Sequence, residues 1–244
     1  MSTAAILTAA GGGARLGHGL PKALVPLAGV PLVVHAARRL AGSGAVDLVL
    51  VTVPGAFADE FRTVLAAAGL PVPVTFIHGG ASRQASVAAA MAQLPPDVDI
   101  VLVHDAARSL APSSLIARVV AAVRSGHGAV VPGAPVTDTI VQVRQGAAGT
   151  PALPEVVANP DRDTLRVVQT PQGFDRALLV RAHAAGAHRA GDEAGAATDD
   201  ASLVAALGEV VYVVAGDAGA VKITTPRDLA LAELLLGSSE PEET

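Results

Sequence analysis

Hydrophobic residues follow two alternating patterns along this chain. Short apolar, β-branched runs predict core strands at residues 4–8, 46–53, 72–77, 100–103 and 129–131. Ala- and Leu-rich segments of helical period predict helices that begin near Pro31, Ala56, Ser82, Pro112 and Asp175, with a last helix over residues 225–236. This alternation is typical of βαβ units, so the predicted fold class is α/β: a doubly wound, mostly parallel sheet.

The alternation of strand and helix patterns stops between residues 132 and 164. There, TDTIVQVRQG and TPALPEVVANPDR predict two extended segments joined by a Gly-rich turn. A protruding β-hairpin arm of this kind would expose Ile140, Val141 and Val143, and dimerisation would cover them. We therefore expect one domain over residues 1–237 with a dimerisation arm at about 133–164. Residues 238–244 are expected to form a disordered acidic tail.

Composition narrows the class of protein. A chain of 244 residues that is 51% hydrophobic is long enough to bury the core of one α/β domain. It has no cysteine, which excludes disulfides and thiolate metal sites, and its formal charge of −5 argues against nucleic acid as a partner. The short apolar runs and the start of the chain predict neither a membrane span nor a signal peptide, so we expect a cytoplasmic protein.

Only two of the 17 basic residues are lysine, Lys22 and Lys222. A coding bias toward arginine and alanine is one explanation of this ratio. The positions of the two lysines in the motifs must decide whether they have a function.

A Gly-rich segment, LTAAGGGARLG, directly follows the first predicted strand, and Pro21-Lys22 comes shortly after it. Glycines let backbone N–H groups approach a phosphate, and Arg15 and Lys22 would add positive charge. The spacing fits neither the Walker A loop nor the GxGxxG dinucleotide fingerprint. A phosphate-binding loop is the functional interpretation, and a structural turn is the alternative.

The second motif is VLVHDAAR, in which an apolar strand ends at Asp105. Open α/β sheets bind ligands at the carboxyl ends of their strands, and a carboxylate there can hold Mg²⁺ that also binds substrate phosphates. The alternative is an Asp that caps the next turn. His104 is interpreted as a packed ring because no second histidine lies at metal-ligand spacing.

The third motif, GGASRQASV, again runs from a strand into a helix. Gly79 and Gly80 would permit close contact with a base or ribose, and Ser86 offers a hydroxyl. Arg83 could contact the ligand or equally be a solvated helix residue.

Taken in order, these motifs resemble the 2-C-methyl-D-erythritol 4-phosphate cytidylyltransferase family over the whole chain. The resemblance rests on AAGGGARLG with PK, GGASRQASV, VLVHDAAR, PVTDT, DR ahead of TPQGF, TDDAS and VKITTPRDLALAE. It implies a nucleotide-diphosphosugar-transferase-like, Rossmann-like fold and a homodimer formed through the arm. The implied activity is Mg²⁺-dependent transfer of CMP from CTP to methylerythritol phosphate in isoprenoid synthesis by the non-mevalonate pathway. Ala81, Ser109 and Leu16 depart from the family pattern, which leaves ribose contacts and loop shape open.

The resemblance also implies site residues, position by position. The CTP site would be formed by Ala9, Ala10, Gly11, Gly13, Arg15, Lys22, Gly79, Gly80, Ser86, Asp105, Ala106 and Lys222, with Asp105 as the metal ligand. The sugar-phosphate side would use Asp105, Arg108, Thr139, Arg162, Thr170, Thr198 and Lys222, of which Thr139 and Arg162 would come from the partner subunit. The catalytic residues would be Arg15, Lys22, Arg162 and Lys222. The three threonines could instead cap turns or helices, and Asp199 and Asp200 are expected to cap or begin a helix.

Two other functions stay open. A related nucleotidyltransferase for ribitol phosphate, a sugar 1-phosphate or a molybdenum cofactor would carry a similar loop. A non-catalytic nucleotide sensor that kept the Gly-rich loop is the alternative from another class.

Overall fold

The computed structural model describes residues 1–11, 19–145 and 153–237. The strands are β1 Ser2–Thr8, β2 Pro26–Leu27, β3 Val30–Pro31, β4 Leu48–Val53, β5 Val74–His78, β6 Val98–Asp105, β7 Ala129–Pro135, β8 Gln142–Arg144, β9 Glu155–Ala158, β10 Arg166–Val168, β11 Gln172–Asp175 and β12 Tyr212–Ala215. The helices are α1 Leu32–Ala41, α2 Ala58–Ala67, α3 Arg83–Met91, α4 Ser113–Arg124, α5 Arg176–Ala185, α6 Asp200–Ala206 and α7 Pro226–Gly237. Every predicted strand and helix is present, with ends shifted by a few residues.

The central sheet has eight strands, in the order β10-β7-β11-β6-β1-β4-β5, with β12 paired to β7. Strands β5, β4, β1 and β6 form a continuous parallel block. Strand β11 runs antiparallel between β6 and β7, and β10 is also antiparallel to β7. The predicted α/β class and mostly parallel sheet are confirmed.

The helix start expected at Asp199 and Asp200 is confirmed by α6, which Asp199 caps. Strands β10, β11 and β12 were not predicted from the sequence. Each of these strands is only three or four residues long, and β10 is exposed throughout. Their pairing with β7 and β6 supplies the hydrogen bonds that place them in the sheet. No apolar run or clear alternation marks β10 or β11, whereas β12 lies in the apolar run VVYVVA at residues 210–215, a signal that the sequence analysis missed.

Alternate residues of β1 divide the core between the two faces of the sheet. Ala5 and Leu7 belong to a cluster with residues of α1, α2 and α4, such as Phe61. Ala4 and Ile6 belong to a second cluster with residues of α3, α5 and α6. Because both faces are covered, the middle of β1, residues 4–7, is entirely apolar, as expected for a central parallel strand.

Two helix starts near the carboxyl edge of the sheet are well capped. The Ser82 hydroxyl accepts a hydrogen bond from the Ala85 N–H at 3.0 Å at the start of α3. At the start of α7, the Asp228 N–H donates to the Thr225 hydroxyl at 3.2 Å, and the Thr225 N–H donates to the Asp228 carboxylate at 2.8 Å. This reciprocal capping confirms the predicted start of the last helix.

The arm forms its own two-stranded antiparallel sheet, in which β8 pairs with β9 and Val143 lies opposite Val156. Both strands are exposed along their whole length. The predicted turn between them lies outside the described residues, as does the predicted tail at 238–244. Within the described ranges, no helix combines the length and apolar character needed to cross a bilayer.

Candidate active site

A cleft of about 490 Å³ lies at the carboxyl edge of the parallel block. Thr8 ends β1, Thr52 lies near the end of β4, and Asp105 ends β6; all three line the cleft. The loops that follow β1, β5 and β6 also line it. This is the edge at which open α/β sheets bind ligands, because the loops separate there and leave a crevice.

Asp105 is at the centre of this cleft and is bonded on both carboxylate oxygens. Its Oδ1 accepts from the Arg83 Nε at 3.1 Å and from the Thr8 hydroxyl at 3.2 Å. Its Oδ2 lies 2.8 Å from the Lys222 Nζ. The carboxylate is therefore fixed in position by two cations from distant parts of the chain.

The charges around Asp105 determine its protonation state. Burial by itself would raise the pKa of the Asp105 carboxyl, but the charges of Arg83 and Lys222 hold that pKa well below its usual range. Burial would likewise lower the pKa of Arg83, yet Asp200 and Asp105 raise that pKa above its ordinary value. Asp105 is thus an ionised carboxylate at neutral pH.

Lys222 is brought to the cleft by the segment ahead of α7. The Ile223 N–H donates to the Ala107 carbonyl at 2.8 Å, which joins this segment to the loop after β6. The Arg108 guanidinium donates to the Ala220 carbonyl at 2.7 Å and to the Val168 carbonyl at 3.1 Å. Arg108 therefore braces the Lys222 segment and is not among the residues that line the cleft.

Lys22 lines the same cleft and begins a short 3-10 segment, Lys22–Leu24, whose other two residues are buried. The strands β2 and β3 follow it as a tight hairpin. The two turn residues of this hairpin, Ala28 and Gly29, have φ values of 48° and 78°. Positive φ at both positions is typical of a type I′ turn, which leads the chain directly into α1.

The two glycines after β5 are required by the packing of the protein itself and not just for the approach of a ligand. A Cβ on Gly79 would lie 2.4 Å from the Ala10 Cβ, and one on Gly80 would lie 2.6 Å from the Ala85 Cβ. The Ser86 hydroxyl accepts from the Gly80 N–H at 3.0 Å and donates to the Ser82 carbonyl at 2.9 Å. These contacts hold the loop after β5 against the loop after β1.

Thr170 and His104 lie behind Asp105 and are both buried. The Asp105 N–H donates to the Thr170 hydroxyl at 3.1 Å, and that hydroxyl lies 2.8 Å from the His104 Nδ1. Burial lowers the pKa of His104 to about 4 against the pull of Asp105, so the ring is neutral at pH 7. His104 is the packed ring that the sequence predicted, and Thr170 supports the Asp105 backbone.

Thr139 and Arg162 meet on the arm, at a second hollow of about 250 Å³ that Asn159, Pro160 and Asp161 also line. The Arg162 guanidinium donates to the Thr137 carbonyl at 2.9 Å. Both side chains are exposed, and neither lines the main cleft. Within one chain the arm residues and the cleft residues form separate groups.

The predicted site residues therefore divide into four sets. Those that line the cleft are Ala9, Ala10, Gly11, Lys22, Gly80, Ser86, Asp105, Ala106 and Lys222. Those that support or border it are Gly79, Arg108 and Thr170; Thr198 is exposed and does not line the cleft, and those on the arm are Thr139 and Arg162. Gly13 and Arg15, with Leu16, lie outside the described residues.

The sequence did not identify Asp200 and His183 as ionic partners, and it left the role of Arg83 undecided. Arg83, whose side chain is only 16% exposed, also contacts Asp200, which the sequence explained as a helix start. His183 bonds the same Asp200 and was not singled out. The sequence did contain one signal for these partners. A cation in the first turn of a helix is destabilised by the helix dipole, so Arg83 at the start of a helix indicates carboxylates nearby.

The donor set fits a divalent metal that is shared with the nucleotide. No group of three or more His, Asp or Glu side chains able to hold a metal occurs in the part of the chain that the structure describes. Asp105 offers one ionised carboxylate in the cleft, and Mg²⁺ in nucleotide sites commonly has one or two carboxylates with water and phosphate oxygens as its other ligands. Asp105 is thus the residue that would hold such an ion.

A cleft lined by Lys22, Lys222 and the ionised Asp105 at the carboxyl edge of a doubly wound sheet is typical of nucleotide-binding α/β proteins of the nucleotidyltransferase class. The family model of 2-C-methyl-D-erythritol 4-phosphate cytidylyltransferase matches residues 3–238. The chain belongs to this family.

Individual relatives agree with this assignment. A 2-C-methyl-D-erythritol 4-phosphate cytidylyltransferase from Streptomyces coelicolor is 51% identical over 237 residues, which cover 96% of this chain and 84% of the relative. The crystal structure of the Thermus thermophilus enzyme of the same name is 37% identical with a TM-score of 0.71, covering 96% of this chain and 98% of that one. A 4-diphosphocytidyl-2C-methyl-D-erythritol synthase structure from Anaerococcus prevotii has a TM-score of 0.80 at 24% identity, covering 97% and 98%, and supports the fold alone.

Proposed function

We propose that this chain transfers CMP from CTP to 2-C-methyl-D-erythritol 4-phosphate, giving 4-diphosphocytidyl-2-C-methyl-D-erythritol and pyrophosphate. The observation that carries the proposal is the meeting of Lys22, Lys222 and Asp105 in one cleft of a chain that belongs to the cytidylyltransferase family. Family membership supports the substrates. The cleft supports the mechanism.

The reaction needs alignment and charge stabilisation more than proton transfer. A phosphate monoester is ionised at neutral pH, so its oxygen can attack the α-phosphorus without a general base. A new P–O bond forms to the α-phosphorus, the bond to the β-phosphate oxygen breaks, and pyrophosphate leaves with the electron pair. Fixed cations around the triphosphate can therefore supply most of the catalysis.

Within this mechanism, Lys22 and the predicted Arg15 stabilise charge on the α-phosphoryl oxygens and on pyrophosphate. Lys222 orients the attacking phosphate, as the sequence predicts. Asp105 would hold Mg²⁺, which when bound neutralises triphosphate charge. Both lysines are point charges on flexible stems, a type of group that suits mobile phosphate oxygens.

The predicted homodimer is part of this proposal. The arm exposes Val143, Val156 and Leu153, the last at 89%, and a partner that covers them would remove apolar surface from water. The partner's arm would carry its copies of Thr139 and Arg162 to the cleft. The cytoplasmic location expected from the sequence stays a prediction.

The test is product formation from a panel of substrates. The chain is incubated with Mg²⁺, with CTP, UTP or ATP, and with methylerythritol phosphate, ribitol phosphate or a sugar 1-phosphate, and the products are identified by phosphorus NMR. We expect a diphosphodiester and pyrophosphate from CTP with methylerythritol phosphate. Preferred turnover of another acceptor would replace the substrate, and nucleotide binding without pyrophosphate release in any mixture would indicate a sensor.

A further inference from the structure

Arg83 is a bridge between two buried carboxylates. Its Nε lies 3.1 Å from the Asp105 Oδ1, and its Nη1 lies 2.7 Å from the Asp200 Oδ2. The Asp200 side chain is 1% exposed. A planar guanidinium can hold two carboxylates in a fixed geometry, which an ammonium group cannot do equally well.

Asp200 is itself anchored on the side away from the cleft. Its Oδ1 lies 2.8 Å from the Nε2 of His183, a residue of α5 whose side chain is 4% exposed. Helices α5 and α6 both contribute to the core cluster on one face of the sheet. The bridge therefore runs from the packed core to Asp105, and its far end has little room to move.

The second cation on Asp105 is held differently. Lys222 is 45% exposed and contacts only the Oδ2, the oxygen that Arg83 does not bond. Separating a buried ion pair leaves uncompensated charge, so Lys222, which reaches solvent, can exchange Asp105 for a phosphate when another cation takes its place on the carboxylate. Asp105 has one fixed counter-ion and one exchangeable counter-ion.

The net charge around Asp105 depends on where the Lys222 ammonium lies. Asp105, Asp200 and Arg83 together carry a net charge of −1, which Lys222 brings to zero. If Lys222 turns toward a substrate phosphate, the Oδ2 and one negative charge become available to a cation. Because Arg83 is shared with Asp200, it does not neutralise Asp105 by itself.

We propose that Arg83 and Asp200 are positioning residues that fix the Asp105 carboxylate and preserve its negative charge, so that it accepts the nucleotide-bound divalent cation when Lys222 leaves it for a phosphate. The inference rests on the proposed function for the identity of the nucleotide and of the phosphate acceptor. The contacts of Arg83 and Asp200 stand independently of that identity.

Asp200→Asn is the direct test, because it removes one charge while keeping the shape of the side chain. Arg83 then becomes the full counter-ion of Asp105. We expect the Mg²⁺ concentration that gives half of the CTP-dependent rise in Tm to increase about tenfold or more, as is usual when a residue that supports a metal ligand is lost. We also expect kcat to fall about tenfold with little change in the KM for the acceptor phosphate.

Asp199→Asn is the matched control. Asp199 is the adjacent residue and caps α6 by accepting from the Ser202 N–H at 3.0 Å, and it also accepts from the Gln172 amide at 2.8 Å. We expect its loss to lower Tm without moving the Mg²⁺ midpoint. Equal shifts of the midpoint in both variants, or no shift in Asp200→Asn, would overturn the proposal.

Arg83→Lys provides a second variant should Asp200→Asn not fold. It keeps the charge but cannot hold both carboxylates, so we expect the Mg²⁺ midpoint to rise and kcat to fall. A midpoint and kcat equal to those of the wild type would contradict the positioning role.

The Tm readout separates this proposal from the proposed function. It reports binding of CTP and Mg²⁺ whether or not the acceptor is correct. A wild type that binds Mg²⁺ and CTP but does not use methylerythritol phosphate contradicts only the proposed function. A wild type whose CTP binding is unaffected by Mg²⁺ contradicts the positioning proposal.

Discussion

The cleft and the arm differ in how much of their structure one chain supplies. In the cleft, Asp105, Arg83 and Asp200 are buried and bonded to one another, and the strands that carry the loops are covered on both faces. On the arm, a two-stranded sheet leaves Val143 and Val156 exposed on a pair of strands without a core of their own. Two-stranded hairpins are marginal in isolation, so the cleft is preorganised within one chain, while the arm lacks the packing that the proposed dimer would supply.

The largest expected effect concerns the cleft alone. Lys22→Ala should lower kcat by about two orders of magnitude or more, because it removes a cation that stabilises charge in the transition state. Pyrophosphate release measures this, with circular dichroism as the check of folding. Arg62→Ala is the control, since Arg62 is exposed, contacts Asp59 and the Phe76 ring, and does not line the cleft. Near-normal turnover of folded Lys22→Ala would remove Lys22 from the mechanism.

Subunit mixing tests whether the arm completes the cleft of a partner. Arg162→Ala and Lys22→Ala should each be nearly inactive alone. A refolded equimolar mixture should regain about a quarter of the wild-type activity, because half of the dimers are mixed and one of their two sites has both residues. An inactive mixture in which mixed dimers are detected would show that each site uses its own chain's Arg162.

The contribution of the arm's apolar face to dimerisation can be tested without changing a predicted site residue. Val143→Glu places a charge on the exposed cross-strand pair and should weaken dimerisation about tenfold or more by desolvation of the carboxylate. Light scattering after size exclusion gives the mass as a function of concentration. Val180→Glu, at a residue 46% exposed on α5, is the matched control and should leave the mass unchanged. An unchanged mass in both variants would place the dimer contact elsewhere.

The smallest expected effect lies where α7 begins, four residues after Lys222. Hydrogen bonds from Thr224 and Thr225 lower the pKa of Asp228 to about 2. A lowered pKa means that the stabilisation is present above the unfolded pKa of about 4 and is lost as the pH falls through about 2. Asp228→Asn should therefore reduce the free energy of unfolding by about 1 kcal/mol at pH 7, and the deficit should shrink toward pH 2.

Urea unfolding at several pH values measures this difference. Glu233→Gln, in the exposed middle of the same helix, makes the same change of charge and should have no comparable effect. A deficit in Asp228→Asn that does not depend on pH would show that the carboxylate charge does not contribute to the cap.

Some features were predictable because they depend on residues close together in sequence. Strands β1 and β6 are apolar runs, and the start of α7 follows from Thr225, Pro226 and Asp228 alone. Asp105 was predicted as a functional carboxylate because it ends a core strand. The exposed three-residue strand β10 could not be predicted, since its pairing with β7 places it in the sheet, whereas β12 had a local signal in the apolar run at residues 210–215.

The chain's own order of residues determined the α/β class, the motif loops, the family and the separation of an arm from the domain. Each of these depends on local spacing and hydrophobic periodicity, which short stretches already carry. The tertiary structure alone decided that Lys222 contacts Asp105 across 117 positions and that Arg83 joins Asp105 to Asp200. Such contacts arise when separate strands and helices pack at one sheet edge, and buried charge is stable there only when its distant partners arrive together.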